Sequence, residues 1–356
     1  MQASNYSVLD RAVHRLAFGT KFAQQVLCDL EERLYGEDIR RQPVEAPIFI
    51  TALPRAGTTL LLQVLSRHPD VVTHTYRDMP FVLSPVIWGR LSRKFQIELT
   101  PSERSHSDGV MVNADSPEAF EEVLWLRQFP ETFRASGLTT CGDDAGQRIW
   151  EPLADLIRRL IASRGHRGPG TPRYLSKNNA NIARIPALQS AFPHARIIVP
   201  LRAPLDHALS MHRQHMRYLD IHRASGFAEA YMNDIGHFEF GRLHRPILFD
   251  GMKEVIASHD PATLDYWLAY WIVAYGHISR QSDIEILDMG AFTSSGDLAP
   301  TLDVLHLRHN QETLDAARDL VRPIRHYDTR NVVSPALLAE ATALHEELGD
   351  RSKKRT

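Results

Sequence analysis

The stretch IFITALPRAGTTLLLQVL, residues 48–65, decides the fold. Its start belongs to APIFITA (46–52), a short apolar run closed by Pro54, which is the pattern of a buried strand. LPRAG (53–57) is loop chemistry, and TTLLLQVLSRHP (58–69) reads as a helix with a threonine start and a proline stop. A buried strand, a tight glycine turn and a helix N-terminus in direct succession make an anion cradle. The first N–H groups of a helix have no partner within it, and the helix dipole favours negative charge at that end. Gly57 lets the backbone approach a ligand closely, Thr58 and Thr59 offer hydroxyls, and Arg55 adds a cation.

Working outward, the same sequence of elements recurs. ARIIVPLRAP (195–204) predicts a second apolar strand ending in a basic loop, followed by a helix over 205–219. Arg202 falls just past that strand, Pro204 is set to open the helix, and Ser210 lies on it. A strand-end arginine beside a hydroxyl suits a second phosphate, because arginine pairs with phosphate through a planar fork. Further strands are expected at VVTHT (71–75), RYLSKN (173–178) and IEILDM (284–289), and helices over 118–129, 151–165, 180–192 and 262–279. SSGD (294–297) is expected to cap a following helix. Strands alternating with helices predict an α/β fold: a P-loop-like parallel sheet flanked by helices, with helical insertions. Nothing resembling a linker divides the chain, so one domain over 1–356 is expected. It would carry a helical extension over 1–45 with a stop at Gly36, a helical insertion over 80–165, and a fraying basic tail over 350–356.

Composition excludes several classes. The 356 residues are 43% hydrophobic and 24% charged, which is ordinary for a globular chain and not for a disordered or collagen-like one. Lys+Arg is 41 and Asp+Glu is 43, a net charge of −2 that argues against bulk capture of nucleic acid or anionic membrane. Cys28 and Cys141 form no CxxC pair, and the 18 histidines show no HExxH or HxH spacing, so no metal is expected. The N-terminus lacks a signal-peptide pattern. The longest apolar stretch, YWLAYWIVAYGHI (266–278), is shorter than the ~20 residues of a membrane span, so a cytoplasmic protein with no stable membrane anchor is expected.

A nucleotide triphosphatase loop of the form GxxxxGKS/T needs a lysine after its last glycine; here Thr58 stands in that place and the first glycine is missing. PRAGTT (54–59), RAPLDHALS (202–210) and FPHARIIVPLR (192–202) together resemble the PAPS-dependent sulfotransferases, in particular the bacterial sulfotransferase-3-like branch related to the heparan and tyrosylprotein enzymes. The chain departs from that pattern at Ala56, where serine is usual, and at Ala203, where aspartate is usual. YLSKNNANIARIPALQSAFP (174–193) and DSPEAFEE (115–122) add weaker likenesses.

The resemblance implies 3′-phosphoadenylyl sulfate (PAPS) as co-substrate, adenosine 3′,5′-bisphosphate (PAP) as product, and no metal. It assigns the loop of Arg55, Ala56, Gly57, Thr58 and Thr59 to the 5′-phosphosulfate, and Arg202 and Ser210 to the 3′-phosphate. Arg55, and secondarily Lys177, would stabilise charge on the leaving oxygen. The general base is expected in the window HPDVVTHTYRDMPF (68–81), with Asp78 first, facing the cleft, then His74; Glu118 is a third choice. Acceptor walls are expected from 80–165 and 219–260, and the acceptor is a small molecule, lipid or carbohydrate of a bacterial cytoplasm. The stripe Tyr266, Trp267, Tyr270, Trp271, Tyr275 is expected in the core, with a minority reading that places some rings at the acceptor. HYDTR (326–330), Arg322 and Arg325 are positional guesses for a loop over the nucleotide. The competing readings are a small-molecule kinase using ATP and Mg²⁺, and a nucleotide-binding protein with a degenerate site.

Overall fold

The computed structural model describes residues 21–92, 102–103, 111–112, 116–118, 120–165, 168–322 and 333–353. Its centre is a five-stranded sheet: β1 (Ile48–Ile50), β2 (Val71–Val72), β3 (Arg173–Lys177), β4 (Arg196–Leu201) and β5 (Glu285–Asp288). The order is β2-β3-β1-β4-β5, and every pairing is parallel. Phe49 sits between Ser176 and Ile197, which fixes β1 at the middle of the sheet.

Both faces of the sheet are covered, which is why its strands read as continuous apolar runs. Successive side chains of a strand point to opposite faces. Ile48 and Ile50 therefore pack with Leu61 and Leu65 of α2 (Thr58–Leu65), while Phe49 joins Tyr174, Ile197 and Leu188 on the other face. The first face is completed by α11 (Met289–Ser295), α12 (Ala299–Val304) and α13 (Gln311–Leu320). The second is covered by α5 (Asp144–Arg164), α6 (Ile185–Ala191), α7 (Pro204–Ala224), α10 (Leu264–Ser279) and α14 (Pro335–Lys353). The remaining helices are α1 (Lys21–Arg40), α3 (Pro85–Ser92), α4 (Glu122–Gln128), α8 (Gly226–Asp234) and α9 (Met252–Ser258).

The expected parallel α/β sheet is present, with local differences that have physical causes. Gly36 does not stop α1, which runs on to Arg40 and buries Ile39 completely. The helix expected from 118 begins at Glu122, because Pro117 bridges to Thr75 and the Glu118 N–H bonds to the His74 carbonyl. The 180–192 helix divides into a 3₁₀ turn (Asn179–Ala183) and α6, with Pro186 in the first turn of α6. SSGD does two jobs: Ser295 and Gly296 end α11, and Asp297 accepts the N–H of Ala299, the first residue of α12, at 3.0 Å, while Asp288 caps the start of α11 by accepting from the N–H groups of Gly290 and Ala291. The basic tail is helical through Lys353, and Arg351 anchors it on the Ser279 carbonyl. Residues 1–20 and 326–330, with Arg325, lie outside the described residues. Both cysteines are free thiols. No helix among the described residues is long and apolar enough to cross a membrane.

The chain passes from central β1 to the edge strand β2, returns through β3, and then crosses to β4 on the other side. Ligands of open parallel sheets bind at such a reversal, beyond the carboxyl ends of the strands. Here those ends carry the loop 51–57, Lys177 and Arg202.

Candidate active site

The loop after β1 has alternating backbone hands. Arg55 lies at φ +74° and Gly57 at φ +106°. Such alternation turns successive N–H groups towards one side, forming a concave nest for an anion. Gly57 is required for space as well as conformation: a Cβ there would stand 2.6 Å from Met289 Cε. The Ala56 methyl packs in the core, so this residue offers the site only its backbone.

Three contacts hold the loop from α7 and the end of β4. Arg202 Nη1 donates to the Arg55 carbonyl at 3.1 Å, and Arg55 Nε donates to Ser210 Oγ at 3.3 Å. His207 Nδ1 accepts from Trp271 Nε1 at 3.2 Å, so its Nε2 carries the proton and donates to the Pro54 carbonyl at 2.9 Å. Burial first, and then the charge of Arg202, push the His207 pKa down to about 3. His207 lies inside the motif RAPLDHALS, and its position just past a strand end was the only signal for it.

Arg55, Thr58, Thr59, Lys177 and Asn179 line a cleft of about 500 Å³, its open mouth included, together with His237 and Glu239. A second cleft of about 650 Å³ adjoins it, walled by Phe133, Leu138, Phe238, Ile247 and Tyr270. Pro54, Lys177, Asn179, His237 and Glu239 belong to both. The structure thus brings Arg55, Thr58, Thr59 and Lys177 to one space, with Arg202 and Ser210 bonded to its loop. Thr58 Oγ1 donates to Asn179 Oδ1 at 3.3 Å, tying the cradle to the chain after β3.

Glu239 is partly exposed at the junction. Its Oε1 accepts from Asn179 Nδ2 at 3.2 Å, and its Oε2 lies 3.7 Å from His237 Nδ1. Its backbone carbonyl accepts from His244 Nδ1 at 2.7 Å, while His244 Nε2 accepts from the Tyr266 hydroxyl at 2.7 Å. Burial first, and then the charge of His215, lower the His244 pKa to about 3, so this relay works with a neutral ring. Nothing in the sequence marked Glu239 or His237 beyond the expectation of acceptor walls from 219–260.

Asp78 and His74 do not face the cleft, which corrects the expected base. Asp78 is 1% exposed. It accepts from His74 Nδ1 at 3.2 Å, from the Thr75 N–H at 2.8 Å, and from Arg164 Nη2 at 2.6 Å. Burial works to raise its pKa, but the His74 hydrogen bond and the Arg164 charge hold it below the usual carboxylate value. It closes a capping box with Thr75. Glu118 is buried and accepts from the Tyr76 hydroxyl at 2.6 Å. Arg322 donates to the neighbouring Val321 carbonyl at 2.7 Å. The aromatic stripe of α10 is buried as expected, and Tyr270 also reaches the second cleft.

The sheet and its nest define an α/β protein built around a strand–loop–helix anion cradle. The sequence model described as "Sulfotransferase family" matches residues 47–245, more than half of the 356 residues, and the chain belongs to that family. Among curated proteins no match is found. Among solved structures, sulfotransferase STF9 from Mycobacterium avium aligns at 14% identity and TM-score 0.48, covering 99% of this chain and 87% of its own. Sulfotransferase STF1 from Mycobacterium tuberculosis aligns at 14% identity and TM-score 0.48, covering 99% and 88%. A sulfotransferase from Alicyclobacillus acidocaldarius aligns at 16% identity and TM-score 0.42, covering 88% and 96%.

Proposed function

We propose that this protein transfers a sulfuryl group from PAPS to a hydroxyl of an acceptor held in the second cleft. The observation that carries the reading is the junction: a cation, Lys177, and a carboxylate, Glu239, line both clefts at once. The nest at 54–57, with Arg55, Thr58 and Thr59, fits the phosphosulfate end of the donor. Arg202 and Ser210 are the side chains we assign to its 3′-phosphate. Sulfuryl transfer forms an S–O bond to the acceptor as the S–O bond to the donor phosphate breaks. Lys177 and Arg55 offset the charge that grows on the phosphate. Glu239 takes the acceptor's hydroxyl proton, the role expected of a base within reach of the reacting oxygen. The neutral His207 and His244 act at one remove, fixing the Pro54 and Glu239 carbonyls and so the loop and the base.

Calorimetric titration with PAP, ADP and ATP with Mg²⁺ tests the donor. Tight binding of PAP, weakened about tenfold or more by Arg202→Ala and poorly matched by ADP, is the expected result. A preference for ATP with Mg²⁺, or no binding of PAP, would overturn it.

A further inference from the structure

The walls of the second cleft bear on what the acceptor is. Away from Lys177, Asn179, His237 and Glu239 at the donor end, its polar side chains make contacts within the protein. The Glu122 carboxylate accepts from Arg184 at 2.6 and 2.8 Å and from Asn178 Nδ2 at 2.7 Å. The Tyr270 hydroxyl accepts from the Ile247 N–H at 3.0 Å, and both His244 nitrogens are bonded. The Arg245 guanidinium stacks 4.2 Å from the centre of the Phe238 ring. The apolar part of the wall is Phe133, Leu138, Phe238 and Ile247. Phe133 and Phe238 stand edge to face at 5.9 Å.

A sugar brings several hydroxyls, and each one buried without a partner is costly, so a sugar site needs several uncommitted polar groups converging on it. A flat hydrocarbon needs only apolar walls and one polar group to aim its single hydroxyl. In the described part of this cleft the polar groups placed to aim a hydroxyl, Glu239, His237 and Lys177, lie at the donor end. We infer that the acceptor is an uncharged alcohol or phenol on an apolar ring system, seated between the Phe133–Leu138 hairpin and the Phe238–Ile247 segment with its hydroxyl at Glu239. This rests on the sulfuryl-transfer reading.

Binding of 2-naphthol to the PAP-saturated protein, followed by naphthol fluorescence, tests the inference without requiring turnover. Methyl glucoside and a neutral tyrosine-containing peptide serve as competitors. Saturable binding is expected, with little displacement by either competitor. Leu138→Trp, which fills the cleft, should weaken it at least about tenfold, and Phe238→Ala, which removes a wall, by about three- to tenfold. PAP affinity in each variant should stay within about twofold of the parent, which also reports folding. The inference fails if naphthol does not bind saturably while PAP does, if the glucoside displaces it, or if neither substitution in a PAP-competent protein alters its affinity. If PAP does not bind but naphthol does, the donor reading falls and the apolar cleft stands.

Discussion

Asp78 lies 3.2 Å from His74, and Glu239 lies 3.7 Å from His237, a carboxylate beside a histidine in each case. The first belongs to a closed cluster: Arg164 and the Thr75 N–H complete its coordination within the protein. The second receives a side-chain amide, from Asn179, and stands partly exposed where two clefts meet. A carboxylate held by a cation and backbone N–H groups in the interior is committed to structure. One given a neutral partner and an open side is available to a substrate. The residue types do not separate the two cases; the partners brought from distant parts of the chain do.

The largest expected effect follows from that difference. Glu239→Gln keeps the shape of the side chain but removes the base, so kcat should fall about 10²- to 10⁴-fold while PAP affinity is retained. A variant retaining parental kcat, measured by PAP release with a confirmed acceptor, would break the assignment. Lys177→Ala should come next, at about 10²- to 10³-fold in kcat, as expected when a donor to developing charge is lost. An effect on PAP affinity alone would reduce Lys177 to a binding residue.

Asp78→Asn should act on stability instead. Breaking one partner of a buried ion pair costs about 3 kcal/mol or more, so the urea midpoint should fall while kcat per folded molecule is kept. Because the folded carboxyl titrates below its ordinary value, its contribution is present above the usual aspartate range near 3.8 and is lost as pH falls beneath it. Lost turnover at full stability would reverse the roles given to Asp78 and Glu239.

The cradle was legible because its chemistry is local. Strand, positive-φ glycine and helix start are adjacent in PRAGTT, and Arg202 and Ser210 share one strand–helix junction. Lys177 was singled out for the same reason, at the end of an apolar strand, and it lines both clefts. That Asp78 is closed off from the cleft was not legible, because i,i+4 spacing put His74 and Asp78 together while concealing Arg164, 86 positions away. DSPEAFEE shows the same limit. Its Glu121 accepts from Tyr174 and Asn181 and its Glu122 from Arg184, so an acidic run noted for its family likeness, with Glu118 as a third choice of base, is a buried tie between α4 and the chain around β3. Glu239 escaped because GHFEFGRLH has no periodic or motif signal, and its backbone is set by distant partners such as His244 on Tyr266 and the Gly241 N–H on His215.

The smallest expected effect separates the two regions by pH. His207, His215 and His244 each use a ring nitrogen as an acceptor, from Trp271, the Gly241 N–H and Tyr266 respectively. Burial is the first cause in each case and places their pKa values at about 3, 4 and 3. The unfolded chain takes up these protons near pH 6.5 and the folded chain does not, so stability falls as pH drops through the interval between. At pH 5.5 each histidine costs about 1 kcal/mol relative to pH 7.5, measured as the difference in urea unfolding free energy. His215→Asn, whose side-chain oxygen can replace the Nδ1 acceptor, should remove about one histidine's share of that loss. Stability that is flat or rising from pH 7.5 to 5.5 would sink the argument. The Pro54 loop and the Glu239 segment are held by neutral imidazoles, and the Asp78 cluster by ionised groups. Acid therefore erodes the histidines' contribution to stability from about pH 6.5 downwards, and that of Asp78 only beneath the usual aspartate value of 3.8.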